Sequence, residues 1–431
     1  MATDTEKLVK IINFWHESLN RGNLLEREKF HEIELSGKEI VDIIGPRRSG
    51  KSSLLKLVIR HIRKVLGRND FLYVNFEDPF FIEHNEATVI EDIIAVYKEY
   101  FNKDLHYLFF DEIQSIKHWE KAIRKLRDGE DYKILITGSS STLLSRELAS
   151  LITGRHTTKK LLPLTFREFL TFNDLNISSE KDLLVKDQQL FRLFDDYLDM
   201  GGFPEIVLSG NKELLKNYFY DFLQKDVVIR HDVRDKEALE KMAVFLISNS
   251  SKVFSISSLA KSFDLSYQSA QNYLTYLKEA FLLFELPQFS YSLKKQSKAL
   301  TKVYGVDIGL IKAVSFKFSE DRGRILENAV FLHLYNKFDE LYYYKTKRGF
   351  EVDFLLKELD TVTGLVQVAW RLSDSSTKER EVRALVDAMK ELNLTESTIV
   401  TYDETDTIDI DDLRINVIPA WRYFLGCNRA V

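Results

Sequence analysis

The most constraining feature of this chain is one short, glycine-bounded loop. Gly45-Pro46-Arg47-Arg48-Ser49-Gly50-Lys51-Ser52 stands between an apolar run, residues 39–44, and a stretch, residues 54–62, whose apolar side chains recur at helical spacing. Glycines at this spacing let backbone N–H groups curl around an anion without obstruction from side chains. The Lys51 ammonium is placed to neutralise β and γ phosphate oxygens, and the Ser52 hydroxyl to hold Mg²⁺. The helix that starts there and runs through Ser53 aims the positive end of its dipole at the anion. Such a loop demands a strand before it and a helix after it, which points to a parallel sheet with crossover helices.

The surrounding sequence supplies that sheet. EIVDII, FLYVNF, YLFF and KILIT are short apolar runs, each followed by a polar or helix-forming segment, and together they predict a P-loop core over residues 1–165. The third run ends in Asp111-Glu112, which predicts a carboxylate for hydrated Mg²⁺ (Asp111) and one that polarises the attacking water (Glu112). The plainer alternative is an acid capping the next helix. The fourth run ends in Thr137-Gly138-Ser139, so Thr137 or Ser139 is the expected sensor of the γ-phosphate. Arg155 follows in LITGR, after a helix and before an expected strand LLPLTF. It is a candidate arginine finger toward a neighbouring subunit; Arg146 competes for that role, and a surface ion pair is the bland alternative.

Beyond the core the pattern changes. Residues 166–234 read as a helical lid broken at Gly201-Gly202-Phe203-Pro204. Residues 235–310 read as a helix, a short helix, a tight turn, a third helix from Tyr267 and two strand-like runs, FLLFELPQF and ALTKVYGVD, which is the order of a winged helix-turn-helix. Ser266 can cap the third helix, whose Gln268, Ser269, Gln271 and Asn272 face away from Ala270, Tyr273, Leu274 and Leu277. Amides can read adenine edges in a major groove. Lys294, Lys295, Lys298 and Lys302 would then anchor phosphates, whereas a polar helix face in plain domain packing needs no DNA. Residues 311–431 read as a second α/β domain, with the acidic stretch 403–412 expected as a solvated loop.

Bulk properties narrow the partners. With 61 Lys+Arg against 66 Asp+Glu the net charge is −5, which excludes a uniformly basic nucleic-acid binder and leaves room only for a local basic patch. The single cysteine, Cys427, permits neither an internal disulfide nor a cysteine-based zinc site. The first residues lack a signal-peptide core and instead place Leu8, Ile11, Ile12, Trp15 and Leu19 on one helical face. No apolar run is long enough to cross a bilayer. The expectation is a cytoplasmic protein.

The motifs GPRRSGKSSLL, LFFDEIQ, ITGSSS, LITGR, LPLTFREFL and GGFPE together resemble prokaryotic, especially archaeal, P-loop ATPases of the AAA+ and STAND-related group, over nearly the whole chain. The resemblance implies ATP and Mg²⁺, a five-stranded core, a lid with Pro204 near the adenine, ring-like or dimeric assembly, and a C-terminal restriction-endonuclease-like domain. In that domain Glu327, Glu351-Val352-Asp353-Phe354 and LVQVAW resemble the PD-(D/E)xK layout, in which carboxylates on adjacent strands bind Mg²⁺ and a lysine two residues after the last acid supports the attacking hydroxide. Gln367-Val368-Ala369 stands where that acid and lysine belong. Glu327 and Asp353 alone make a weak divalent site, and Lys345, Lys347 or Arg371 would have to replace the lysine. The expected activity is Mg²⁺-dependent ATP hydrolysis driving a conformational change, on DNA, above a noncatalytic C-terminal domain. The rival expectations are an ATP-regulated nuclease and a STAND-like switch acting on a protein partner.

Overall fold

The structure, a computed structural model, describes residues 5–129, 131–139, 156–296, 299–315 and 321–426. It comprises two compact units, Met1–Leu161 and Leu162–Val431.

The first unit is built on five parallel strands, β1 (Ile40–Ile44), β2 (Phe71–Asn75), β3 (Tyr107–Asp111), β4 (Lys133–Gly138) and β5 (His156–Lys160), in the order β2-β3-β4-β1-β5. Strands β1, β3 and β4 are buried along their whole length, as a sheet covered on both faces requires. Leu54, Leu55, Val58, Ile59 and Ile62 of the helix Lys51–Val65 pack on Val41, Ile43, Phe71, Tyr73 and Phe109. Truncating one such leucine to alanine costs about 2–5 kcal/mol. The amphipathic helix Thr5–Ser18 lies against β2 with Leu8 and Ile12 buried. Because β4 lies between β1 and β3, the carboxyl ends of all three converge, which is where ligands bind in open α/β sheets.

One expected strand is displaced. LLPLTF forms no strand, although the Leu161 N–H donates to the Ile44 carbonyl at 2.7 Å. The preceding HTTKK forms one, as β5 at the sheet edge beside β1. An edge strand has one solvated side and tolerates threonine and lysine, whereas Pro163 has no N–H to give to a ladder. Leu161 and Leu162 are instead buried outside any strand, and Thr165 forms a capping box with Glu168 to start the helix Phe166–Phe172.

The second unit joins three sequence segments in one body. Helices run from Phe166 to Asp221, among them Asp187–Met200, Pro204–Ser209 and Leu214–Asp221, and a π-helical stretch Phe222–Ile229 follows. Next come the helices Lys236–Ser248, Ile256–Ser262 and Tyr267–Glu279 with a three-stranded antiparallel sheet, β6 (Val253–Phe254), β7 (Leu283–Leu286) and β8 (Thr301–Gly305), ordered β6-β8-β7. A six-stranded mixed sheet completes the unit: β9 (Glu340–Lys345), β10 (Glu351–Glu358), β11 (Thr361–Val368), β12 (Glu396–Thr401), β13 (Asp406–Ile410) and β14 (Leu413–Pro419), ordered β13-β14-β12-β11-β10-β9. The acidic stretch expected as a loop therefore contains β13, an edge strand paired only with β14 and with its side chains largely in solvent; charge on an edge strand costs little and deters further pairing.

The helices Asp187–Met200 and Leu214–Asp221 both pack on the helix Ile308–Val314, which follows β8 directly. The Gly201-Gly202 turn is the joint between them. The Gly202 N–H donates to the buried Asp307 carboxylate at 2.6 Å, the Leu164 N–H donates to the Gly202 carbonyl at 2.7 Å, and Asp307 also caps Ile308–Val314 through the Leu310 N–H. Burial pushes the Asp307 carboxyl up to about 6, against the opposing effect of the backbone N–H groups it accepts. Among the described residues no helix is long and apolar enough to cross a membrane.

Candidate active site

The phosphate loop leaves β1 through Gly45, packed so closely against the β5 end that a Cβ would overlap the Leu161 carbonyl. Gly50 ends the loop at φ 98°, a left-handed conformation that glycine adopts without strain, and the preceding Arg48 also has positive φ, 62°. The loop is held from behind by Arg27, whose buried guanidinium donates to the Ser49 carbonyl at 2.6 Å. Ser49 Oγ is buried and has no hydrogen-bond partner, an orphaned polar atom in the wall of the loop. The Arg47 guanidinium turns to Glu77 at 2.7 Å, and Arg48 is exposed.

Lys51 is 4% exposed, and its ammonium donates to the carbonyls of Gly45 at 3.1 Å and Pro46 at 3.0 Å. It lies 3.4 Å from Glu112 Oε1. Asp111 and Glu112 stand at the end of β3, both buried. Thr137, ending β4, ties them together: its hydroxyl donates to Asp111 Oδ1 at 2.5 Å and accepts the Glu112 N–H at 2.9 Å. Asp111 Oδ2 accepts from the Tyr73 hydroxyl at 3.0 Å and from Asn75 at 3.1 Å, both on β2, and Ser52 donates to the same carboxylate. The Glu112 carboxylate accepts from Gln114 Nε2 at 2.6 Å, and that amide also reaches Ser139 Oγ at 3.4 Å.

The two acids carry opposite protonation tendencies. Burial, reinforced by the neighbouring Glu112 charge, pushes the Asp111 carboxyl up despite its hydrogen bonds to Thr137, Ser52 and Tyr73. For Glu112, burial acts upward too, but the Lys51 charge, the Gln114 hydrogen bond and Arg47 outweigh it and hold the carboxyl below its usual range. A buried Asp111, whose charged form burial disfavours, beside the Ser52 hydroxyl suits a divalent cation, whose charge would favour the carboxylate. An ionised Glu112 suits a general base or water-orienting group.

Sequence reasoning therefore names Gly45, Pro46, Arg47, Arg48, Ser49, Gly50, Lys51, Ser52, Ser53, Asp111, Glu112, Thr137 and Ser139, and the structure gathers these residues around one end of the first sheet. Arg155 and Arg146 lie outside the described residues. Pro204 belongs to the second unit, at the first turn of Pro204–Ser209. Sequence reasoning missed Arg27, Tyr73, Asn75 and Gln114. Asn75 and Gln114 had a usable signal, a polar residue at the end of an apolar strand and an amide two residues past the acid pair; an isolated arginine such as Arg27 gives none.

A second polar cluster lies in the second unit. Glu327, on the helix Arg322–Lys337, meets Glu351 and Asp353 of β10, and at their centre is the ammonium of Lys302 from β8, 3.1 Å from Glu327, 2.9 Å from Glu351 and 3.0 Å from Asp353. Lys302 is 2% exposed. It is thus not a phosphate anchor: its charge is spent inside the fold, and only Lys294 and Lys295 of that lysine group are exposed, Lys298 lying outside the described residues. Lys345, one of the candidates to replace the missing lysine, is 3.5 Å from Glu351, while Arg371 pairs with Asp403. Gln367 accepts the Asp353 backbone N–H at 3.1 Å and donates to the Glu381 carboxylate at 2.6 Å, so the amide ties the β10 backbone to Glu381. Among the described residues, no group of three or more His, Cys, Asp or Glu side chains is arranged to hold a metal ion.

One family model bears on the first unit. Residues 37–170 match the family described as AAA domain; residues 191–321 and 322–423 match two domains of unknown function, DUF8612 and DUF4143. An uncharacterised protein of Methanocaldococcus jannaschii is 36% identical over 91% of this chain and 90% of its own length. An uncharacterised protein of Haemophilus influenzae is 27% identical over 92% of this chain and 98% of its own length. Among solved structures, AMPPCP-bound DnaA from Aquifex aeolicus is 15% identical over 63% of this chain and 88% of that one with a TM-score of 0.26, too low to carry an argument. The first unit is a nucleotide-binding P-loop domain of AAA type.

Proposed function

This chain belongs to the same family as its Methanocaldococcus jannaschii relative, and from that premise we propose that it is a Mg²⁺-dependent ATPase whose hydrolysis cycle drives a conformational switch acting on DNA. The observation that carries the reading is the convergence of Lys51, Asp111, Glu112 and Thr137 at the ends of three adjacent strands, with Glu112 ionised and Lys51 within 3.4 Å of it. Lys51 and the loop N–H groups would bind the β and γ phosphates, and the helix Lys51–Val65 would present its N-terminus to them. Ser52 and Asp111 would hold Mg²⁺, which supplies charge neutralisation across those phosphates. Glu112 would accept a proton from, or orient, the attacking water, and Gln114 would keep its carboxylate aimed.

Two substitutions test this. Lys51→Ala should abolish binding of a fluorescent ATP analogue. Glu112→Gln should bind it normally and hydrolyse ATP on the order of 10²-fold or more slowly, as removal of a general base does. Unchanged turnover in both variants would end the reading.

Action on DNA is supported by the helix Tyr267–Glu279, where Ala270, Tyr273, Leu274 and Leu277 are buried and Gln268 and Gln271 face solvent beside a three-stranded sheet. That is the side-chain division a winged helix-turn-helix needs. The winged-helix reading and the restriction-endonuclease likeness of the C-terminal sheet belong to this proposal. So do a homo-oligomeric assembly, Arg155 as a finger acting in trans, and Pro204 beside the adenine. DNA cleavage is not part of it: Gln367 and Ala369 replace the acid and lysine that such chemistry uses. Incubating nicked, forked and four-way DNA with Mn²⁺ should leave all three intact, and cleavage lost in Asp353→Ala would reverse this judgement.

A further inference from the structure

A lysine ammonium has three N–H donors. Lys302 donates to Glu327 at 3.1 Å and to Asp353 at 3.0 Å, and its ammonium forms an ion pair with Glu351 at 2.9 Å. Other groups add contacts around these carboxylates. Asp353 Oδ2 accepts the Val368 N–H at 3.1 Å, Glu351 Oε2 lies 3.5 Å from Lys345, and Glu327 Oε1 also accepts the Tyr304 hydroxyl at 2.8 Å. The acids come from a helix and a strand of the C-terminal α/β segment. The lysine comes from a different segment, β8, where it pairs with Val253 of β6 and Leu286 of β7.

We propose that this is a cation site whose resident cation is Lys302: a tethered ammonium occupies the point on which three carboxylates converge, and it fastens β8 to the C-terminal α/β segment. The ammonium is central and almost fully buried, so a metal ion, which needs its oxygens at about 2.0–2.6 Å, would have to displace it. Removing the ammonium while keeping the acids should therefore convert the site to one for a divalent cation, since buried carboxylates without a counter-charge are strongly unfavourable.

The test is Mn²⁺ titration without nucleotide, read by loss of the free-Mn²⁺ paramagnetic signal, on wild type, Asp353→Asn, Lys302→Met and Lys302→Met/Asp353→Asn. Wild type and Asp353→Asn should bind equal amounts. Lys302→Met should bind one additional Mn²⁺ per chain, and the double variant should lose it. The inference is overturned if folded Lys302→Met gains no Mn²⁺, or if Asp353→Asn lowers binding relative to wild type. Where Lys302→Met does not fold, the wild-type pair decides, together with acylation of lysines followed by mass spectrometry. Lys302 should stay unlabelled with or without Mn²⁺, whereas labelling that appears on adding Mn²⁺ means that the ion displaces the ammonium and sinks the proposal.

Discussion

Glu112 is held by two groups of opposite character, the Lys51 ammonium at 3.4 Å and the Gln114 amide at 2.6 Å. Lys51 is committed to phosphates in the proposed reaction, so Gln114 is left to orient the carboxylate. A hydrogen bond to a charged group is worth about 1.5–3 kcal/mol, which at about 1.4 kcal/mol per decade is roughly a 10- to 100-fold effect. Gln114→Ala should lower kcat by that factor and leave nucleotide affinity within about twofold. Steady-state hydrolysis set beside nucleotide titration separates the two, and a matching loss of affinity would mean that Gln114 supports the loop and not the base. At this scale the sequence was informative wherever chemistry is local. Gly45, Gly50, Lys51, Ser52 and the Asp111-Glu112 pair can be read directly because a loop and a strand end fix their neighbours. Arg27 and Tyr73 reach the site across sequence separations of 22 and 38 residues, and no local pattern announces that.

The elements obey the same division. Apolar runs with both faces buried gave β1 to β4 away without ambiguity. The polar edge strands β5 and β13 went unread because an edge strand needs only half a hydrophobic pattern, and β6 because its two residues, Val253 and Phe254, are too few to show one. The turn at Gly201-Gly202 was legible as a break but not as a joint. Its purpose depends on Asp307, a hundred residues away, whose carboxylate accepts the Gly202 N–H. A Cβ at Gly202 would come within 2.5 Å of the Leu164 carbonyl oxygen, a backbone contact with no flexible end to yield. Gly202→Ala should therefore destabilise the second unit by about 2 kcal/mol or more, seen as a lowered melting temperature. A neutral result would show that the helices on either side can move apart.

At the scale of the whole molecule, a chain of net charge −5 can meet DNA only through a patch, and the exposed Lys294 and Lys295 between β7 and β8 are the lysines that the winged-helix reading offers as phosphate anchors. Each phosphate contact contributes about −0.9 to the slope of log affinity against log salt. Mobility shifts across a salt series should give a slope shallower by about two for Lys294→Ala/Lys295→Ala, with sequence preference unchanged. Absence of any salt-dependent binding in the wild type would favour a protein partner. What the sequence determined by itself was the phosphate loop, its acids and the strand–helix alternation around them, because these depend on contacts between residues close along the chain and on a periodicity that burial imposes. Only the tertiary structure decided that the helical segment, the three-stranded sheet and the six-stranded sheet form one unit. It also decided that Lys302, legible in sequence as a surface cation, is the buried partner of Glu327, Glu351 and Asp353. Charge alone cannot say whether a lysine faces water or carboxylates; that depends on which distant acids the fold brings within reach of it.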